Sequence, residues 1–404
     1  MLFSFGMSFA YWASSVEGNT SSNDSTIGLG VWYDGTPIYT AEEFIDVVTT
    51  TQNTGTYVLA KDIDFQNISY PSWINNDDIV FSGSLDGNNK VLSNISATNL
   101  RGIFGVLDGA TVKNLTLDNI QFNYVPTGAI TSGILTGRIQ GTGNLIENIR
   151  IKNSTGSNSA YPIGGIAGLI QPASGDTTTV TATIQNIKIT SATLTGNYSS
   201  NTYGSGGVIG TINTANVTLS DLYVEADVLA NTITNLGGII GATLSAATVS
   251  INRAVVFANL NNQTTSTDTS IGTAGLIGRN QGSASSTDTF FTGFMRSPVL
   301  NASKTSYTVQ SGVLRAIGNN ISFTNSRSAQ ITIYRRSTNP SILVNSSTIY
   351  NKMTGQKATY STTVYQTNRT SLSSSWWTSG YANITNQTSL WEYNPTTYLY
   401  QLID

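Results

Sequence analysis

Two short patterns of apolar and polar positions trade places along most of this chain. One alternates with period two: Val112-Lys113-Asn114-Leu115-Thr116-Leu117, Ile146-Glu147-Asn148-Ile149-Arg150-Ile151, Ile184-Gln185-Asn186-Ile187-Lys188-Ile189 and Leu219-Ser220-Asp221-Leu222-Tyr223-Val224. The other sets an aliphatic pair between glycines: Gly102-Ile103-Phe104-Gly105, Gly133-Ile134-Leu135-Thr136-Gly137, Gly164-Gly165-Ile166-Ala167-Gly168, Gly206-Gly207-Val208-Ile209-Gly210, Gly237-Gly238-Ile239-Ile240-Gly241 and Ala274-Gly275-Leu276-Ile277-Gly278. A weakened copy stands at Gly312-Val313-Leu314. The glycine before each pair falls at 102, 133, 165, 207, 238 and 275, in steps of 31, 32, 42, 31 and 37 residues. Units of this length cannot bury an apolar face alone and must stack on their neighbours. Strand-type alternation makes each unit a coil of sheet.

Three details refine this reading. Glycines beside a short apolar strand suit tight turns at positive φ and close approach of stacked backbones. Asn114, Asn148 and Asn186, with Asp221 after them, occupy equivalent places. Either they point inward and form an amide ladder between coils, or they take up turn conformations that asparagine tolerates. The stretches 153–161, 171–180, 196–205 and 261–270 are rich in Ser, Thr, Asn and Gly and are expected to be surface loops.

Before the repeats, Thr40-Ala41-Glu42-Glu43-Phe44-Ile45-Asp46-Val47-Val48 reads as a helix: Thr40 is an N-cap and Glu43 completes a capping box. Such a helix would lie over the first coil. Tyr57 to Phe65 reads as a strand. The organisation expected is an apolar N-terminal segment and polar linker over 1–30, an N-terminal cap with a helix at 40–50 and the first strand over 31–66, coils over 67–330, and degenerate coils with an aromatic C-terminal cap over 331–404.

Tyr57-Val58-Leu59-Ala60-Lys61-Asp62-Ile63-Asp64-Phe65, then Phe81-Ser82-Gly83-Ser84-Leu85-Asp86-Gly87-Asn88, then the glycine phrases in this order resemble the GLUG-repeat family of bacterial surface proteins. The resemblance spans residues 37 to 283. It implies a right-handed parallel β-helix on an exported, often adhesive protein, and it brings no catalytic residues. The departures are Ala274, the broken copies after Gly282, and the long step between Gly165 and Gly207. The fold expected is therefore all-β: a single right-handed parallel β-helix with an N-terminal capping helix.

Composition narrows function more than fold. Charged residues make up 10% of the 404 residues, against about 25% in ordinary soluble proteins. A net charge of −3 offers no basic field for nucleic acid. The chain has no cysteine and no histidine, which removes disulfides, histidine-based triads and the usual transition-metal ligands. Arg150-Ile151-Lys152 matches a tripeptide of polygalacturonases, but the repeat accounts for it and their histidine motif is missing. A polysaccharide lyase is the enzymatic alternative. It would use a Lys or Arg base and calcium held by Asp62, Asp64, Asp77, Asp78 and Asp86. Beyond that calcium site no cofactor or metal is expected.

Residues 1–16 are apolar, too short for a ~20-residue membrane span, and without a basic residue. They read either as the tail of an export signal or as a retained assembly strand carrying Phe3, Phe5, Phe9, Tyr11 and Trp12. Trp376, Trp377 and Trp391 are either a plug over the last coil or a glycan-contacting surface. The function expected is that of an exported, non-catalytic surface or structural protein at the cell surface, not an integral membrane protein. It would assemble with other copies into a filament or layer, or adhere to a glycan or host surface.

Overall fold

The computed structural model describes residues 33–71, 77–125, 131–232, 234–263, 271–297, 311–312, 315–318, 321–336, 343–346 and 372–404. The assembly strand expected at residues 1–16 lies outside them. The structure is 57% strand and 7% helix, so the all-β expectation holds. The unit Asp34–Asp404 is built on a single parallel β-helix.

From Ser132 to Gly318 the coils visit three sheets, and successive coils pair in parallel in each. The long sheet takes the alternating phrase, in strands such as Asn144–Lys152, Val180–Gly196, Ala215–Ala230 and Thr248–Asn262. A short sheet follows, with Ile163–Gly164, Gly204–Gly206 and Asn235–Gly237, and a third holds Ala167–Ile170, Ile209–Ile212 and Ile240–Thr243. In the long sheet Val112, Ile146, Ile184, Leu219 and Ile251 stand in one file. Leu117, Ile151, Ile189, Val224 and Val256 stand in another. These residues are buried in one continuous core, so each coil covers the apolar side of the next.

The glycine phrase lies where the short sheet turns into the third, and its three glycines meet three different obstacles. A Cβ on Gly237 would sit 1.8 Å from the Ile240 carbonyl oxygen across the turn. One on Gly238 would sit 2.1 Å from the Gly275 oxygen in the coil above, and one on Gly241 would meet the Gly204 backbone of the short sheet. Real Cβ contacts are never that close, so the phrase permits backbone to pack on backbone with no side-chain layer between. None of the three has positive φ, which corrects half of the expectation for these glycines.

Positive φ belongs instead to the asparagine file. Asn114, Asn148, Asn186 and Asp221 have φ between 52° and 55°. A left-handed residue in mid-strand bends it, so that Val112 and Leu115, three apart, both face the core. The same side chains form the ladder: Asn114 Nδ2 donates to Asp86 Oδ1 (3.0 Å), Asn148 to Asn114 (2.9 Å) and Asn186 to Asn148 (3.2 Å). The two readings of these asparagines are thus one arrangement, on a half-buried bend and not inside the core.

At the N-terminal end, strand β1 (Thr36–Ile38) leads into helix α1 (Ala41–Thr49), and strand β2 (Thr56–Leu59) pairs with β1 in parallel. The capping box is present: Thr40 Oγ1 accepts from Glu43 N, and Glu43 Oε2 accepts from Thr40 N, both at 3.2 Å. Phe44, Val47 and Val48 are buried, and Phe44 meets Phe65 edge-on at 5.9 Å and Phe104 at 6.4 Å. Parallel pairing therefore starts at β1 and β2, earlier than the expected boundary at 67. The expected loop 153–161 also contains a long-sheet strand, Thr155–Asn158.

Candidate functional site

The last described segment, 372–404, corrects the expectation of an aromatic plug over the final coil. It packs on the side of the long sheet. Two short helices, α2 (Ser374–Gly380) and α3 (Ala382–Thr385), precede a hairpin of Trp391–Asn394 with Leu399–Leu402, which pairs only with itself. The landing place is an outward file of the long sheet: Thr116, Arg150, Lys188, Tyr223, Val255 and Phe290. Halfway along, this file turns from polar to apolar, and Tyr223, Val255 and Phe290 are fully covered. Phe290 meets Trp377 at 4.9 Å, Trp376 at 5.8 Å and Tyr381 at 6.2 Å.

Polar groups register the module on the stripe. Trp391 Nε1 donates to Asp221 Oδ1 (3.1 Å), Asn383 Nδ2 to Asp288 Oδ2 (2.6 Å), Tyr381 Oη to the Thr289 carbonyl (3.0 Å) and Arg150 Nη2 to the Ile403 carbonyl (2.8 Å). The Asp404 carboxylate lies 2.7 Å from Lys188 Nζ and 3.4 Å from Lys152 Nζ. Burial raises the pKa of Asp404, but the hydrogen bond and charge of Lys188, with Lys152, outweigh it and hold the carboxyl below its ordinary value. Trp377 and Trp391 are 0% and 2% exposed. They have no face to offer a sugar. Trp376 is half-buried against Phe290 and Trp377.

The acids proposed for calcium do not converge. Asp62 accepts from the Val91 amide and Asp64 from Asn94 and the Gln66 amide. Asp86 takes Asn114, the Asn88 amide and Lys113. Asp77 bridges Arg101 at 2.5 Å and Arg138 at 3.6 Å. Among the described residues no three acidic side chains gather.

A different aromatic group stands where the long sheet turns into the short one. Tyr161, Tyr198 and Tyr203, all half-exposed, form a cluster. The rings of Tyr161 and Tyr198 lie 5.3 Å apart at 35°, and those of Tyr198 and Tyr203 lie 5.1 Å apart at 85°. Their backbones are pinned from beneath. Buried Asn158 accepts from the Tyr161 amide (2.8 Å), Thr234 Oγ1 donates to the Tyr198 carbonyl (2.8 Å), and buried Asn235 Nδ2 donates to the Tyr203 carbonyl (2.9 Å). Arg279 reaches the Asn201 carbonyl and ties down the loop between the second and third tyrosines. The phenol hydroxyls have no hydrogen-bond partner among the described residues.

Sequence reasoning passed over this corner. Aligning the glycine phrases would have shown a signal, because Tyr161 and Tyr203 each stand three residues before the first glycine, Gly164 and Gly206.

No family model matches the chain, and no curated protein matches it. Among solved structures, one from Bacteroides ovatus described as a putative immunoglobulin A1 protease is similar, with 16% identity, coverage of 91% of this chain and 93% of that one, and a TM-score of 0.48. At that level the likeness carries no argument about activity.

Proposed function

We propose that this chain is a non-catalytic β-helix of an exported surface protein, of the adhesive kind its repeat phrases resemble, and that it binds through its sides. The observation that carries this reading is the tyrosine corner: a half-exposed aromatic cluster whose backbone is fixed before any partner arrives. Preorganisation of that kind lowers the ordering cost of binding. The occupied acids support it, since Asp62, Asp64, Asp77 and Asp86 serve coil-to-coil hydrogen bonds and ion pairs.

The test is adhesion of beads coated with the full chain to bacterial and host-cell surfaces. Beads carrying the wild-type chain are expected to adhere, and beads carrying the Tyr161→Ala/Tyr198→Ala/Tyr203→Ala variant are not. Equal adhesion by both would remove the corner from the reading. Release of unsaturated uronates from polygalacturonate with calcium supplied would replace it with the lyase.

Self-association is proposed at the outer edge of β1, whose only strand partner among the described residues is β2. Light scattering across a concentration series should then show particles larger than one chain, and a constant single-chain size would dismiss it.

A further inference from the structure

We infer that the tyrosine corner binds an uncharged polysaccharide, with its chain running along the axis of the coils and about one pyranose ring per coil. This rests on the lateral-binding reading above and specifies its ligand.

Three observations select the class. The first is spacing. Strands in adjacent coils lie about 4.8 Å apart, and the rings of Tyr161 and Tyr198, on successive coils, are 5.3 Å apart. That one step between two rings matches the advance of an extended sugar chain, whose apolar ring faces pack on aromatics while its hydroxyls need partners. The unpartnered phenol hydroxyls, with exposed Ser159 and Ser199 beside them, supply those partners.

The second is charge. The described corner residues 159–162, 197–203, 231–232 and 234 include no Asp, Glu, Lys or Arg, and the guanidinium of Arg279 is engaged by Asn201. A uronate or sulfated chain would find no counter-charge here, whereas a neutral one leaves none unmatched. An aromatic cage for a quaternary ammonium needs rings parted around the cation, each centroid within about 6 Å of it. These rings touch each other instead and leave no room between them.

The third is the lack of an apolar surround. A protein partner would need on the order of 800 Å² per side with an apolar centre. The large apolar side chains that stand exposed among the described residues are only Tyr39 and Val125.

The experiment is calorimetric titration of the full chain with cellohexaose, mannohexaose and chitohexaose as neutral probes and hexagalacturonate as the acidic one. At least one neutral hexaose is expected to bind, and hexagalacturonate is not. Tyr198→Ala should weaken binding at least tenfold. Tyr198→Phe, which keeps the ring packing and the fold, should weaken it two- to fivefold. Failure of all three neutral probes, preference for hexagalacturonate, or an unchanged affinity in Tyr198→Ala would overturn the inference. These results are separable from the bead assay. If beads adhere through the corner but no neutral hexaose binds, lateral binding stands and the ligand class is wrong. Adhesion abolished by protease treatment of the target surface, but not by periodate, would assign the corner to a protein and likewise overturn it.

Discussion

Two aromatic groups decorate the sides of this solenoid, and they differ in what lies over them. The tryptophan module closes on Tyr223, Val255 and Phe290, and the indole nitrogens of Trp377 and Trp391 each find an acceptor. The tyrosine corner packs ring on ring over a pinned backbone, and its hydroxyls have no hydrogen-bond partner among the described residues. The contrast shows that aromatic density in a sequence locates surface to be covered, whereas an aromatic group with unmatched polar tips locates surface left for something else.

The sharpest way to break the contrast is Trp377→Ala. Loss of a fully buried indole costs about 3–5 kcal/mol, and here it falls on the module. Near-ultraviolet circular dichroism should report undocking at low denaturant, while the far-ultraviolet strand signal persists to a separate, higher midpoint. A single shared transition would mean that module and coils are one cooperative unit. Next in size is Asp221→Ala, which strands the Arg253 guanidinium held at 2.6 Å and 2.7 Å and removes the acceptor of Trp391. A partly buried pair broken on one side should cost about 2–3 kcal/mol, read as a shift in the first denaturation midpoint.

Acid should act more gently. Docking lowers the pKa of Asp404, so its contribution is complete above the ordinary carboxyl value of 3.8 and is lost as pH falls through the lowered, docked value. Titration below about pH 4 should loosen the module first, seen as a rise in tryptophan accessibility to acrylamide, and Asp404→Asn should abolish that step. The smallest effect is expected at the corner. Tyr198→Phe removes a hydroxyl with no partner among the described residues, so stability should change by no more than about 0.5 kcal/mol.

Much of the scaffold was legible because a coil repeats its own instructions. The glycine phrase and the Ile-x-Asn-Ile-x-Ile phrase recur, and each copy restates which residues face inward. Even so, the chemistry of one position was read from its neighbours too simply: the left-handed conformation sits at Asn148, not at Gly165, because glycine there is required for closeness to the Gly207 carbonyl. The capping box of α1 was equally plain, being wholly local. What could not be read were contacts without a local sign. Trp391 and Asp221 are 170 residues apart, and only superposed coils bring Tyr161 beside Tyr198. Asp62 and Asp64 looked like metal ligands because they cluster along the chain, but each is engaged by the coil above it.

The docked C-terminal module also has a bearing on how such a chain can change length. Coils upstream of Arg150 could be duplicated or deleted in register, since their described strands pair with those of adjacent coils. Between Arg150 and Phe290 that freedom ends. Dropping one turn would shift Lys188 by about 4.8 Å against the Asp404 that grips it, while Trp377 stayed on Phe290. The module works as a gauge, holding constant the number of turns beneath it and leaving the remaining coils free to grow or shrink in number in evolution.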